Sequence, residues 1–246
     1  MSGHSKWSTI KRKKAAVDAK RGKIFTKIIR ELTVCARNGG SDLDSNAPLR
    51  TIVDKAKAAN MPQANIERAI QKGAGELEGA NYEEITYEGY GPGGVALLIE
   101  VLTDNRNRTV GEIRYLLGKH GGNLGETGSV AWKFEARGLI QVNKGELALD
   151  DVIMMVVDAG AEDVQEEEDL YAIYTAVNDL GNVRQVCLDN DLEVTTYELT
   201  RVPKMELKIE GGTVGRVARL LDLLDDLDDV QNIYTDADFD EAELDG

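Results

Sequence analysis

Lys20, Lys23, Lys27 and Arg30 recur at intervals of three and four, so on an α-helix they fall within about 80° of one another. Side chains of one sign on one helical face do one kind of chemistry well: they neutralise a row of phosphates. Ahead of this stripe lie Lys6, Lys11, Arg12, Lys13 and Lys14, and Arg21 lies within it. Over the first thirty-seven residues eleven basic side chains face two acids, Asp18 and Glu31, a local charge of 11 − 2 = +9 in a chain whose formal total is −15, so the remainder sums to −24. A split this steep predicts a basic front end that seeks a polyanion and an acidic body repelled by it. An ordinary solvated helix face would mix signs in Glu/Lys pairs four apart, and this stripe does not. Trp7, beside Lys6 and near Lys11, has two readings: an anchor that holds the arm on the helical region in the free protein, or a plane that stacks on an unpaired base when a ligand is bound.

A second polar cluster, Thr103 to Thr109, holds Arg106 and Arg108 between a strand-like and a helix-like segment. The two arginines are candidate phosphate forks. Equally, Asp104 or Asn105 is a candidate helix cap, and both readings stand.

Other chemistries find little material. His4 and His120 are the only histidines, and no Ser/His/Asp or Cys/His set is readable, so an enzyme is not expected. Cys35 and Cys187 sit far apart on apolar helical patterns and read as buried reduced thiols, in keeping with a reducing cytoplasm. They do not cluster with the histidines as zinc requires, and no metal or cofactor is expected. Gly89–Gly94 and Gly121–Gly128 lack the Gly-Lys-Ser/Thr ending of a phosphate loop and read as turns. The acids Glu166–Asp169 and Asp222, Asp225, Asp226, Asp228 and Asp229 lack EF-hand spacing and read as solvated faces that keep nucleic acid off the body. No secretory signal is evident, and the longest apolar run, Val95–Leu102, is interrupted by Glu100 and far too short to span a bilayer. The expectation is a cytoplasmic protein with no membrane partner and no obligate small molecule.

The elements that must position these residues read as follows. Helices are expected over Thr9–Lys20, over Lys23–Arg37 with Ile24, Ile28 and Leu32 inward and the cationic stripe outward, from Pro48, and from Pro62 to Gly73. No helix-turn-helix spacing stands out among them. The period then switches to strand-like over Tyr82–Glu88 and Val95–Leu102, helical over Arg108–His120, and strand-like over Val130–Phe134. Residues 139–199 follow the order βαββαβ of a ferredoxin-like unit, and Met205–Tyr234 adds a strand, a helix and a strand. Neither flank alone can bury a sheet face, so the expected fold class is α+β: an all-helical N-terminal domain, a second α/β sandwich built from the two flanks, and the ferredoxin-like module inserted into it, with three sequential domains as the rival arrangement. Boundaries are expected at 1–78, at 79–136 plus 204–238, and at 137–203, with a disordered acidic tail from Asp236 that is free of the body over 239–246.

Gly3-His4-Ser5-Lys6-Trp7, Lys14-Ala15-Ala16 and Asp18–Lys27 resemble the opening of the YebC/PmpR family. Tyr87–Gly94, Asp104–Thr109, Gly121–Gly125 with Gly128-Ser129-Val130, and Ala159–Asp163 match it too, so the resemblance covers nearly the whole chain. It implies three domains, a helical N-terminal one and two ferredoxin-like α/β sandwich modules, together with no enzymatic activity and a role in gene expression. Family members carry the label of probable DNA-binding transcriptional regulators, while others, including the mitochondrial translational activator of cytochrome c oxidase, act at the ribosome. The resemblance also adds His4 to the candidate nucleic-acid contacts. Because a lysine arm reads backbone rather than sequence, ribosomal RNA and the ribosome are the expected partners, with promoter DNA as the alternative.

Overall fold

The computed structural model describes residues 21–239. Helix α1 (Arg21–Gly39) is the striped helix, followed by α2 (Ala47–Ala58) and α3 (Gln63–Gly73). Their inward positions meet in one aliphatic core: Ile28, Leu32 and Ala36 against Leu49, Val53 and Ala56, closed by Met61, Ile66 and Ala69. Asn46 starts α2; its side chain accepts from the Leu49 amide at 3.0 Å and donates to the carbonyls of Cys35 and Gly40, tying the end of α1 to the start of α2. Gly73 ends α3 where a Cβ would collide with the Thr33 carbonyl, which lets α3 lie directly on α1.

Strands β1 (Glu83–Tyr90) and β2 (Ala96–Thr103) form an antiparallel hairpin whose turn is made by Gly93 and Gly94 in the left-handed region. Helix α4 (Arg106–Lys119) follows, and β3 (Asn123–Leu124) pairs with β1. A single strand over Val130–Phe134 is not found: a 3-10 turn occupies Ala131–Lys133, and β4 (Phe134–Asn143) begins the next sheet. The alternation there was too short to separate a turn from a strand.

Strand β4, helix α5 (Leu149–Val156), strands β5 (Ala161–Glu166) and β6 (Leu170–Thr175), helix α6 (Leu180–Asp189) and strand β7 (Val194–Pro203) make a βαββαβ unit with sheet order β5-β6-β4-β7. Its core sits between sheet and helices, with Ile140, Val142, Tyr171 and Ile173 packed on Val152, Val156, Val183 and Cys187.

After β8 (Leu207–Lys208) come α7 (Gly212–Asp225), β9 (Val230–Thr235) and β10 (Ala237–Asp238). Strand β9 pairs antiparallel with β2, from Leu97 opposite Thr235 to Glu100 opposite Asn232, so the final segment completes a sheet of order β3-β1-β2-β9 opened 147 positions earlier at Glu83 (230 − 83). One α/β sandwich is thus inserted into the other. Residues 132–206 form one compact unit, and the helical region together with the interrupted sandwich forms the second. The expected free tail is corrected over its first residues: the Asp236 carboxylate accepts from the Ala96 amide at 2.7 Å, β10 pairs in parallel with β8, and Phe239 is buried. An acidic composition hid a strand whose hydrogen bonds run to residues far away in sequence.

Candidate nucleic-acid interface

The expected outward stripe on α1 faces inward, onto the end of α7. Asp225, Asp226, Asp228 and Asp229 lie where that helix leaves carbonyl oxygens without intrahelical partners and where its dipole is negative. Lys23 pairs with the Asp226 carboxylate at 2.9 Å and donates to its carbonyl. Lys27 pairs with the Asp225 carboxylate at 2.8 Å and donates to its carbonyl at 2.9 Å. Arg30 is buried; it donates to the carbonyls of Leu102 and Asp228 and to the Asp229 carboxylate, and its guanidinium lies over the Tyr82 ring at 5.3 Å. The outward orientation of Lys27 and Arg30 and the solvated reading of Asp225 and Asp229 are therefore both corrected, while Lys23 and Asp226 pair at the exposed rim of the junction. Helical spacing places cations on one face, but it does not say whether water, phosphate or carboxylate meets that face.

Asp229 is the centre of this junction. It accepts from Arg30, from Arg108 at 2.8 Å, from Thr109 at 2.5 Å and from Thr103 at 3.1 Å. Burial alone would push its carboxyl up, yet the bonds from Thr109, Arg108 and Arg30 outweigh burial and hold it below the usual carboxylate range. Arg108 also pairs with Asp104, and the Asn105 side chain caps α4 by accepting from the Arg108 amide. For Arg108 the cap-and-pair arrangement holds. Arg106 is exposed beside Tyr87; burial raises that phenol and the Arg106 charge offsets part of the rise.

A second buried carboxylate organises the glycine-rich loop after α4. Glu88 accepts from the backbone amides of Gly128, Val130 and Ala131 at 2.6 to 2.7 Å. Burial raises its pKa, and the three amides together outweigh burial, so the net direction is down. The loop thus holds an anion in its amides, but the anion is a side chain of the same fold.

The remaining candidates, His4, Lys6, Trp7, Lys11, Arg12, Lys13, Lys14 and Lys20, lie outside the described residues; Arg21 opens α1, and its side chain lies outside the description. Helix α2 is joined to α3 by the four residues 59–62, with Asn60 at a positive φ of 59°. That length fits a helix-turn-helix connection, a spacing the sequence reading did not find. The exposed face of α3 carries Glu67, Arg68, Gln71 and Lys72. Among the described residues no three or more His, Cys, Asp or Glu side chains converge as a metal site, and no helix is long and apolar enough to cross a membrane. Burial pushes the Cys187 thiol up to about 11, as expected of an unreactive core residue.

Two family models cover the chain: "TACO1/YebC protein N-terminal domain" over residues 5–76 and "TACO1/YebC second and third domain" over residues 82–237. A protein of Pelotomaculum thermopropionicum named a probable transcriptional regulatory protein is 54% identical over 243 residues, 98% of this chain and 100% of the relative. One of the same name from Desulforamulus reducens is 50% identical over 237 residues, 96% of this chain and 98% of the relative. The crystal structure of a conserved hypothetical protein, Aq1575 from Aquifex aeolicus, superposes with a TM-score of 0.86 at 44% identity, covering 92% of this chain and 94% of that one.

Proposed function

Since the chain belongs to the TACO1/YebC family, we propose that it is a non-enzymatic, cytoplasmic regulator of gene expression that grips the phosphate backbone of ribosomal RNA through its N-terminal arm and so promotes translation. One observation carries this reading. Lys23, Lys27 and Arg30 are engaged by the acids at the end of α7, so the positive charge left to the front end is concentrated ahead of α1. Residues 1–20 hold six cations, Lys6, Lys11, Arg12, Lys13, Lys14 and Lys20, against Asp18, a net 6 − 1 = +5. His4, Trp7, Arg21 and the exposed Arg106 complete the contact set. The relatives named probable transcriptional regulatory proteins support a regulator whose partner is nucleic acid.

A short cationic arm suits shape and phosphate recognition of structured RNA rather than base reading. Sedimentation of the protein with ribosomes through a sucrose cushion tests this. Four to six phosphate contacts give a slope of log K against log salt of about −3 to −5, and replacing Lys11, Arg12, Lys13 and Lys14 with Glu abolishes co-sedimentation. No co-sedimentation at low salt, or an unaffected variant, refutes the reading. The four-residue turn between α2 and α3 favours the alternative, a transcriptional regulator that places α3 against promoter DNA; protection of a defined duplex in excess competitor decides for it.

A further inference from the structure

Helices α4 and α7 pack side by side on one face of the sheet β3-β1-β2-β9. Leu117 of α4 and Leu220 of α7 reach the Cβ positions of Gly89 and Gly91, which point to the same side of β1 and the turn after it. The outer faces of the two helices are therefore turned away from the sheet. Gly111, Arg114, Tyr115, Gly118 and Lys119 fall within about 140° of arc on α4, and Gly212, Gly215, Arg216 and Arg219 within about 100° on α7. All nine are exposed.

Three properties distinguish this face from a solvated one. It is cationic within an acidic chain: against Arg114, Lys119, Arg216 and Arg219 the two helices ahead of Asp226 carry three acids, the exposed Glu112 and the half-buried Asp222 and Asp225, and Asp225 is taken up by Lys27. Its arginines are not consumed as those of α1 are. Arg114 and Arg219 have no ion pair or hydrogen bond among the described residues, and Arg216 makes only local bonds to Gly212 and Thr213. It also displays an aromatic ring: Tyr115 is 62% exposed, with the Lys119 ammonium 5.4 Å from its centroid. Gly111 and Gly118 lie inside α4, where each costs about 1 kcal/mol relative to Ala. A Cβ at either would meet nothing, so packing does not require them, and they keep the surface low beside the ring.

We infer that the outer face of α4 and α7 is a second RNA-binding surface, in which Arg114, Lys119, Arg216 and Arg219 hold phosphates and Tyr115 stacks on an unpaired base. Cations around an exposed aromatic are the chemistry of single-stranded recognition, since an unstacked base offers a π-face and its flanking phosphates offer charge. The inference rests on the proposed RNA-binding function and extends it from the arm to the body. With two contact regions, the RNA is clamped at two points, so each region raises the local concentration of RNA at the other.

Fluorescence anisotropy with labelled ribosomal RNA fragments bearing single-stranded loops tests it, using the full chain and its variants at several salt concentrations. Arg114→Glu with Arg219→Glu weakens binding and makes the salt slope about 1.5 to 2 shallower, while Lys204→Glu, one exposed charge on the other unit, shifts it by less than either arginine alone. Tyr115→Ala weakens binding about five- to a hundred-fold with the slope unchanged, and Tyr115→Phe restores it. On duplex DNA, whose bases are stacked, Tyr115→Ala changes nothing. The inference is overturned if the unaltered chain binds the RNA and these variants bind it equally well, or if Tyr115→Ala weakens duplex DNA as much as RNA. If the unaltered chain binds no RNA, the proposed function itself falls. All four positions are exposed, so the variants fold; an unchanged thermal midpoint checks it.

Discussion

Two groups of basic residues on the same compact unit meet different fates. On α1, Lys23, Lys27 and Arg30 close onto carboxylates and helix-end carbonyls of α7 and the turn after it. On the outer face of α4 and α7, Arg114 and Arg219 make no ion pair or hydrogen bond among the described residues. Residue type and helical spacing are alike in the two places. The difference is what the fold brings opposite: α1 lies across the negative end of a helix, while among the described residues no ion pair answers Arg114 or Arg219 on the outer faces. Basic residues bind a ligand only where the fold has left their charge unanswered.

The sharpest way to break this contrast is at Asp229. Asp229→Asn leaves Arg30 buried with a weakened partner and is expected to destabilise the chain by about 3–5 kcal/mol in urea unfolding, whereas Arg219→Glu changes stability by less than about 0.5 kcal/mol. Equal effects at the two sites would mean that the α1 cations are no more engaged than those of the outer face.

Acid gives a smaller effect of known sign. Asp229 and Glu88 both titrate below the ordinary carboxylate range in the folded chain. Their contribution is therefore fully present above that range and is lost as pH falls from it through their lowered folded-state pKa, because over that interval the unfolded chain binds more protons. The urea midpoint is expected to drop progressively as pH falls below about 5 and on through the lowered folded-state values, and the drop to be shallower in Asp229→Asn. A midpoint independent of pH over this window would remove both carboxylates from the account.

Lys23 gives the smallest effect. Its pair with Asp226 is exposed on both sides, so Lys23→Met costs about 0–1 kcal/mol, an effect that vanishes in high salt. A salt-independent loss would show that Lys23 acts through packing of its stem instead.

Much of the fold was legible before any coordinates. The three- and four-residue recurrence of Ile28, Leu32, Leu49, Val53, Ile66 and Ala69 marked the helices and their buried faces. The βαββαβ order of residues 139–199 marked the inserted sandwich, and the incomplete flanks on either side of it required each other, as the β2–β9 pairing shows. What escaped was either short or distant. The two residues of β3 and the two of β10 carry too little alternation to register. The three amides around Glu88 are backbone groups, which composition does not distinguish.

The sequence by itself determined that the chain is polarised in charge, that Lys23, Lys27 and Arg30 share one face of their helix, and that its sheets come from an interrupted and an inserted module, because these follow from neighbours a few residues apart. Only the tertiary structure decided which cations remain available. Lys23 meets a partner 203 positions away and Lys27 one 198 positions away. Local periodicity sets the direction of a side chain relative to its own helix, whereas the group it meets is set by how the helix docks, through packing and long-range electrostatics acting on the whole chain at once.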